Sequence, residues 1–308
     1  MSARMILIGA GLALLAGCAT PAAELSSHPL DAHEDAAASM AALAAACAGR
    51  DGWADPAPPA RIHGNTFHVG TCGIAVLLLA GAQGHILIDS GPAEAAPLVL
   101  ANIRALGFDP ADVMFIVGSH EHHDHMGGFS VLKAVTGARL LASPGARRAI
   151  ETGAVEADDP QAGLIEGMAP VPVDGTYSDG EEIRIGDEGP AIIALLTPGH
   201  TSGGTSWHWQ SCEGDACLAI AFVDSLSAVA RDGYRFSDHP ARVAPFSATF
   251  QRVAGMPCDI LITPHPSASN LFARFAGAAP LRNPAACREL AATMAARLDA
   301  RLAQEAAR

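Results

Sequence analysis

Histidines and acidic residues crowd a short segment near the middle of the chain. Residues 119–128 read Ser-His-Glu-His-His-Asp-His-Met-Gly-Gly, with four histidines and two acids in six successive positions. They directly follow residues 113–117, an apolar run typical of a buried strand. Neutral imidazole and carboxylate groups are usual ligands of Zn²⁺, and so many of them at a strand end would be costly without a cation. The segment therefore predicts a metal site.

The spacing within this segment is H-x-H-x-D-H. On an extended turn, His120 and His122 are two residues apart and can point the same way. Asp124 and His125 then face a second position close by. The pattern indicates two neighbouring metal positions.

Two further histidines follow apolar runs later in the chain, each beside proline or glycine. His200 stands in Thr-Pro-Gly-His-Thr, and His265 stands in Thr-Pro-His-Pro. Taken singly, either would be interpreted as a surface or capping histidine. Together with the central segment they provide more ligands than one tetrahedral zinc can use, which favours two metals about 3.5–4 Å apart.

The elements that must position these residues form two similar clusters. Strands are expected at 61–69, 73–80, 85–89, 113–117, 192–196, 205–209, 218–223 and 260–263, and helices at 97–106, 129–135, 242–254 and 284–302. Two clusters of strands, each flanked by helices, predict an α+β fold with two sheets face to face and helices outside.

These motifs together resemble the metallo-β-lactamase superfamily across residues 47–308. The resemblance rests on H-x-H-x-D-H, on the segments around His200 and His265, and on Asn65 with residues 69–73, 87–89, 205–207 and 224–227. The pattern is most similar to the third subclass of class B β-lactamases, which are exported di-zinc enzymes. The resemblance implies an αββα sandwich with two mixed sheets.

The same resemblance implies the ligands and the reaction. One zinc is expected on His120, His122 and His200, and the other on Asp124, His125 and His265. Asp124 is also the expected catalytic residue, which orients the nucleophile. The implied reaction is hydrolysis of the β-lactam amide bond of penicillins, cephalosporins and carbapenems by a zinc-bound hydroxide, which gives antibiotic resistance.

One position separates this chain from other members of the superfamily. Glyoxalase-type relatives have a metal-bridging carboxylate at a position that, counted three residues on from the strand aromatic Phe222, is Ser225 here; a register slip of one would give Asp224. In the subclass, the equivalents of Ser225 and Ser227 bind the substrate carboxylate; the competing interpretation is two ordinary loop serines. Gln161 matches a substrate-side position in some relatives, although the sequence favours loop polarity as the explanation. His123 stands where a bulky aromatic residue is usual.

Two other kinds of function compete with β-lactam hydrolysis. The first is another hydrolase or oxygenase of this fold: a lactonase, a glyoxalase-like thioesterase or an iron-dependent sulfur dioxygenase. The second is a non-catalytic zinc-binding lipoprotein. Six candidate ligands argue against the second, because structural zinc sites normally close with four.

Composition narrows the choice of partners. The formal net charge of −13 over 308 residues argues against nucleic acid and against electrostatic attachment to anionic lipid. We therefore expect a small-molecule substrate, no nucleic-acid partner, membrane contact only through a lipid anchor, and a monomer.

The N-terminus resembles an export signal. Arg4 precedes an apolar stretch that ends in Leu-Ala-Gly-Cys at Cys18, similar to a bacterial lipobox. This predicts a signal peptide over 1–17, lipidation of Cys18, a tether and short helix over 18–46, and a catalytic domain over 47–308, in the periplasm and anchored to the outer membrane. The alternative is an ordinary signal peptide cut after Ala19 or Ala23.

Six cysteines remain after Cys18, an even number that indicates disulfides in an exported protein. The short turn between Cys212 and Cys217 makes a local bridge plausible, and sequence alone leaves the other pairings open. The resemblance implies the pairs Cys47–Cys72, Cys212–Cys217 and Cys258–Cys287.

Overall fold

The computed structural model describes residues 36–307 and contains two mixed sheets. The first has seven strands in chain order: β1 (Ala60–His63), β2 (Thr66–His68), β3 (Leu77–Leu79), β4 (His85–Ile88), β5 (Val113–Val117), β6 (Arg139–Ala142) and β7 (Gly175–Thr176). Strands β1 to β4 pair antiparallel, and β4 to β7 pair parallel. The predicted signal segment and Cys18 lie outside the described residues.

The second sheet has five strands: β8 (Glu182–Arg184), β9 (Ala191–Leu196), β10 (Thr205–Glu213), β11 (Ala216–Phe222) and β12 (Ile260–Ile262). Their order across the sheet is β12-β11-β10-β9-β8, and only β11 and β12 pair parallel. The carboxyl ends of β9, β11 and β12 therefore lie at one edge of the sheet.

The α-helices are α1 (Ala36–Ala46), α2 (Ala96–Ala105), α3 (His123–Met126), α4 (Phe129–Thr136), α5 (Arg147–Thr152), α6 (Pro240–Ala254), α7 (Leu271–Phe275) and α8 (Ala286–Ala306). Helices α2, α4 and α5 pack on the outer face of the first sheet and α6 and α8 on that of the second, whereas α1 and α7 pack against the core between the sheets. Within residues 36–307, no helix has both the length and the apolar character needed to cross a membrane.

The hydrophobic core falls into three clusters that correspond to the three contacts between four layers. Leu77 and Leu79 of β3 face the second sheet, whereas Leu78 between them faces the helices α2 and α4, as strand alternation requires. A third cluster fills the space between the second sheet and the helices α6 and α8. The predicted αββα sandwich is thus confirmed, with Trp207, Trp209 and Phe222 in the core.

Three disulfides are formed, and they use all six cysteines of the described chain. They join Cys47 to Cys72, Cys212 to Cys217, and Cys258 to Cys287, the pairs that the resemblance implies. The first attaches the segment after α1 to the turn between β2 and β3. The third attaches the segment before β12 to α8.

His68 of β2 is buried between the sheets, with the ring of Phe272 packed edge-on against it at 6.1 Å between centroids. Neither ring nitrogen has a hydrogen-bond partner among the described residues. Burial lowers the pKa of His68 from 6.5 to about 4, because the charged imidazolium cannot be solvated there.

Acid should therefore destabilise the fold through His68. The stabilisation from the buried neutral ring is complete above the unfolded-state pKa of about 6.5. It is lost as pH falls towards the folded-state pKa, and the free energy of unfolding is lower by roughly 2 kcal/mol at pH 5. His68→Phe should remove that part of the pH dependence of the free energy of unfolding. Urea unfolding at pH 7.5 and pH 5 measures it, with His239→Asn, an exposed histidine, as control. An unchanged pH dependence in His68→Phe would show that the buried imidazole is not the group that titrates.

Candidate metal centre

The carboxyl-terminal strand ends bring the candidate ligands to one edge of the sandwich. The loop after β5 carries the H-x-H-x-D-H segment, the loop after β9 carries His200, and the loop after β12 carries His265. Several hydrogen bonds join the sheets at this edge; among them, Thr205 N–H donates to Ser119 O at 2.7 Å, and Trp207 Nε1–H donates to Gly118 O at 3.1 Å. The two sheets thus hold these loops together.

His120, His122 and His200 form the first triad. All three are buried, and one nitrogen of each ring lies within 4.8 Å of the others. The opposite ring nitrogens are each held by an oxygen: His120 Nδ1 by Asp224 Oδ1 at 2.8 Å, His122 Nε2 by Asp159 Oδ2 at 3.0 Å, and His200 Nδ1 by Ser227 O at 2.8 Å. Such partners orient metal-binding imidazoles and fix their tautomers.

The electrostatics at His120 and His200 favour neutral imidazoles. Burial and the neighbouring imidazoles lower the pKa of His120 well below its usual value. Burial, together with His122, lowers the pKa of His200 to about 3. Neutral rings leave lone pairs available for a metal ion, which is what zinc coordination requires.

Asp124, His125 and His265 form the second triad. Asp124 Oδ2 lies 3.0 Å from His125 Nε2 and 3.4 Å from His265 Nε2, and the two ring nitrogens are 3.2 Å apart. Around a tetrahedral zinc with bonds of about 2.0–2.1 Å, neighbouring ligand atoms are about 3.3–3.4 Å apart. The three atoms therefore fit one face of such a site.

The second triad also attracts positive charge. Burial alone would lower the pKa of His125, but the carboxylates of Asp124 and Asp89 outweigh it and raise this pKa to about 10. Asp89 Oδ2 lies 3.4 Å from His125 Nδ1. A field that favours a proton on His125 equally favours a bound cation, so the residues present fit a metal ion.

Asp89 connects the first sheet to this triad. It follows β4 with a φ of +65°, an uncommon conformation for a residue other than glycine. Its carboxylate accepts hydrogen bonds from Ser119 N at 2.6 Å and Ser119 Oγ at 2.8 Å. The strained residue therefore fixes the start of the histidine loop as well as His125.

The two triads adjoin. His120 also groups with Asp124 and His125, and the rings of His120 and His125 are 4.2 Å apart between centroids. All six predicted ligands thus lie in one cluster.

The predicted substrate residues lie on two loops beside the first triad. Ser225 and Ser227 are partly exposed on the loop after β11, and Ser227 Oγ lies 3.4 Å from His200 Nδ1. Gln161 is buried, with its side-chain Nε2 3.5 Å from His200 Nε2. Loop polarity therefore does not account for Gln161, which reaches into the cluster.

Asp224 lies behind His120, where its carboxylate holds Nδ1. In this arrangement it supports a ligand from the far side of the ring.

Trp53 and His123 lie beside the second triad. The Trp53 ring is 5.6 Å from that of His123 and 6.2 Å from that of His265, measured between centroids. Thr71 Oγ donates a hydrogen bond to Trp53 O at 2.8 Å, next to the Cys47–Cys72 bridge. No pattern in the sequence indicates that the segment after α1 reaches this cluster.

The carboxylates behind the ligands were also missed from sequence. Asp89 and Asp224 each follow a buried strand, which is a usable signal at a carboxyl-terminal strand edge. Asp159 stands in an irregular acidic loop, and no spacing distinguishes it from its neighbours.

Comparison with known proteins gives the family. A sequence model of the metallo-β-lactamase superfamily matches residues 69–213. The metallo-β-lactamase MIM-1 from Novosphingobium pentaromativorans is 52% identical, with a TM-score of 0.84 over 86% of this chain and 98% of that one. The chain belongs to the metallo-β-lactamase superfamily. MIM-2 is 42% identical, with a TM-score of 0.82 over 87% of this chain and 98% of that one.

Other similar proteins have lower sequence identity. BJP-1, a subclass B3 metallo-β-lactamase of Bradyrhizobium japonicum, is 29% identical, with a TM-score of 0.74 over 83% of this chain and 97% of that one. A hydroxyacylglutathione hydrolase of Fuscovulum blasticum is 27% identical over 188 residues, 61% of this chain. The human metallo-beta-lactamase domain-containing protein 1 is 36% identical over 136 residues, 42% of this chain. The chain spans 60% and 40% of the length of these last two proteins.

Removing the side chain of His265 should weaken metal binding at the second triad but not at the first. We expect His265→Ala to weaken one metal-binding step by at least about 100-fold, because a direct ligand is lost, and to leave the other within a few-fold. Zinc titration against a competing chelator measures both steps. His208→Ala, a partly buried histidine of β10 outside both triads, is the control. Two unchanged steps in His265→Ala would contradict the assignment of this residue.

Proposed function

We propose that this protein is a di-zinc β-lactamase, which hydrolyses the amide bond of β-lactam antibiotics and so gives resistance to them. The observation that carries the proposal is the pair of adjoining ligand triads, with the Ser225–Ser227 loop beside them. Support also comes from solved metallo-β-lactamases with up to 52% identity over nearly their full length.

The metal ions define the class of chemistry. When bound, two zinc ions supply the Lewis acidity that activates water and polarises an amide carbonyl at neutral pH. His120, His122 and His200 would hold one ion, and Asp124, His125 and His265 the other. No side chain of this set needs to act as a covalent nucleophile.

Asp124 has a second role in this proposal. Its Oδ2 faces His125 and His265, so Oδ1 is the oxygen that can accept a hydrogen bond from the attacking water. The carboxylate would then orient a lone pair of that water towards the amide carbon. One oxygen of Asp124 would thus bind the metal, and the other would orient the attacking water.

Ser225, Ser227 and Gln161 would place the substrate. Hydroxyl groups on the loop after β11 can donate hydrogen bonds to the carboxylate of a β-lactam. Gln161 reaches the first triad from the opposite loop, where its side-chain amide can contact the bound substrate. Two loops would therefore fix the orientation of the four-membered ring.

Thioester hydrolysis is a second candidate, because hydroxyacylglutathione hydrolases are among the curated relatives. These are 26–31% identical, below the 52% of MIM-1 and the 42% of MIM-2. The position of Asp224 behind His120 also weighs against a carboxylate between the metals.

We further propose that the protein is exported to the periplasm, with Cys18 as a lipid anchor to the outer membrane. Three disulfides are expected in an oxidising compartment and are rare in bacterial cytosol. The lipobox-like sequence before Cys18 supports the anchor.

A substrate panel with and without metal tests the function. The purified protein should hydrolyse a penicillin, a cephalosporin or a carbapenem, and lose activity by at least about 100-fold after dialysis against a chelator, because the metal supplies the activated water. Added Zn²⁺ should restore it. A glutathione thioester is the parallel substrate. Hydrolysis of the thioester without hydrolysis of any β-lactam would replace this proposal with the second candidate.

The two loop serines offer a more specific prediction. The Ser225→Ala, Ser227→Ala double variant should raise KM for a β-lactam about 10-fold, a loss of roughly 1.4 kcal/mol of binding. Its zinc content should stay unchanged, because the Ser227 carbonyl that holds His200 remains. Steady-state kinetics and metal analysis measure the two effects. Ser237→Ala, at an exposed serine further along, is the control. Loss of zinc with unchanged KM would mean that these serines support the metal centre instead.

A further inference from the structure

Glu121 stands between two ligands of the first triad, His120 and His122, but points away from the metal position. Its side chain is buried, with 7% of the residue exposed. Oε2 accepts a hydrogen bond from Thr201 Oγ at 2.7 Å, and Oε1 accepts one from Gly203 N at 2.9 Å. Both donors lie in the loop that carries His200.

This contact is closely fitted. A Cβ atom added at Gly203 would lie 2.5 Å from Glu121 Oε2 and would also collide with the backbone of Ala146. Only glycine allows the loop to approach the carboxylate this closely. The loop and the Glu121 side chain therefore depend on each other for their positions.

The first triad needs such a link because its ligands come from distant parts of the chain. His120 and His122 lie on the first sheet's loop, and His200 follows 78 residues after His122 from the second sheet. The ring of His200 must nevertheless lie 4.7 Å from that of His120 and 5.1 Å from that of His122. Each sheet alone can place only part of the triad.

We propose that Glu121 is a positioning residue for the first metal: its carboxylate fixes the loop of His200 to the loop of His120 and His122. Glu121 stands between the ligands His120 and His122, and it binds Thr201, the residue directly after the third ligand, His200. The inference rests on the metal centre of the proposed function but concerns no substrate.

A neighbouring serine provides a matched control. Ser143 Oγ donates a hydrogen bond to Gly203 O at 2.7 Å, so it holds the same loop residue from the end of β6. None of the six candidate ligands lies on that element. If Glu121 acts through its position between two ligands, Ser143→Ala should lower the free energy of unfolding without changing the zinc affinity.

The test measures zinc affinity of the first triad and stability side by side. In a His265→Ala background, where the second triad is incomplete, Zn²⁺ is titrated against a chelator into Glu121→Ala, Glu121→Gln and Ser143→Ala. We expect Glu121→Ala to weaken binding about 10–100-fold, as is typical when the partner that orients a ligand is lost. Glu121→Gln should recover most of it, because its amide can still accept from Gly203 N and donate to Thr201 Oγ. Visible spectra of the Co²⁺-loaded proteins should change only in Glu121→Ala.

The free energies of unfolding of the metal-free proteins show whether Glu121 positions the ligands or only stabilises the fold. Urea unfolding should show a loss in both Glu121→Ala and Ser143→Ala, with weaker zinc binding only in the former. Equal zinc affinity in all variants, or affinity that falls in proportion to stability in both, would overturn the inference. If Glu121→Ala does not fold, Thr201→Val removes one donor from the same link and should weaken zinc binding in the same direction.

The outcomes also distinguish this inference from the proposed function. A parent protein that binds no metal at the first triad would reject both. A parent that binds zinc and hydrolyses β-lactams, with Glu121→Ala unaffected in zinc affinity, would reject only the role of Glu121.

Discussion

Buried negative charge around the ligands is the constraint on which this structure depends. Asp89, Asp124 and Asp224 are each at most 5% exposed, at the edge where the two sheets meet. A buried carboxylate is costly unless it is paired and hydrogen-bonded. Burial raises the pKa of Asp224 well above its usual range, and nearby Asp89 and Glu121 add to the rise. One oxygen of Asp224 has no hydrogen-bond partner in the described chain. A cation at the centre would compensate these charges through the intervening imidazoles.

The fold brings these groups together by using strand ends and by fixing each loop from two sides. The loop of His200 shows this most clearly. Thr249 Oγ of α6 donates a hydrogen bond to Pro198 O at 2.7 Å. Phe246 of the same helix lies beneath Gly199, where a Cβ would come within 2.8 Å of the ring. The helix therefore holds the loop from outside, while His200 Nδ1 bonds to Ser227 O. Rigid loops of this kind keep metal ligands in place before the metal arrives.

Much of this arrangement could be predicted from sequence, because its signals are local. The H-x-H-x-D-H spacing and the short apolar runs before it need only a few consecutive residues to be recognised. The layered fold followed from the clustering of strands and helices along the chain. The boundaries were less exact: one predicted strand at 61–69 is two, β1 and β2, because the chain turns at Gly64 with a φ of +52°.

Contacts between loops that are distant in the chain could not be predicted from the sequence. Asp159 holds His122, but nothing in the acidic loop distinguishes it from Glu156 or Asp158. Gln161, which reaches His200, was indicated only by the resemblance to relatives. Trp53 reaches the second triad only because the segment after α1 is attached to the turn before β3. Such contacts depend on how the loops pack after both sheets have formed.

The position of Asp224 shows how a small difference in placement can separate chemistries within one fold. A carboxylate between two metals would share its charge with both and reduce their Lewis acidity. Here the same residue type lies behind His120, where it increases the basicity of a ligand instead. The second triad then depends on His265, which follows β12, the strand whose preceding segment the Cys258–Cys287 bridge attaches to α8. In the proposed β-lactam hydrolysis, a strained amide needs an activated water and a polarised carbonyl more than it needs help for the leaving group, and two adjoining metal-binding triads could supply both.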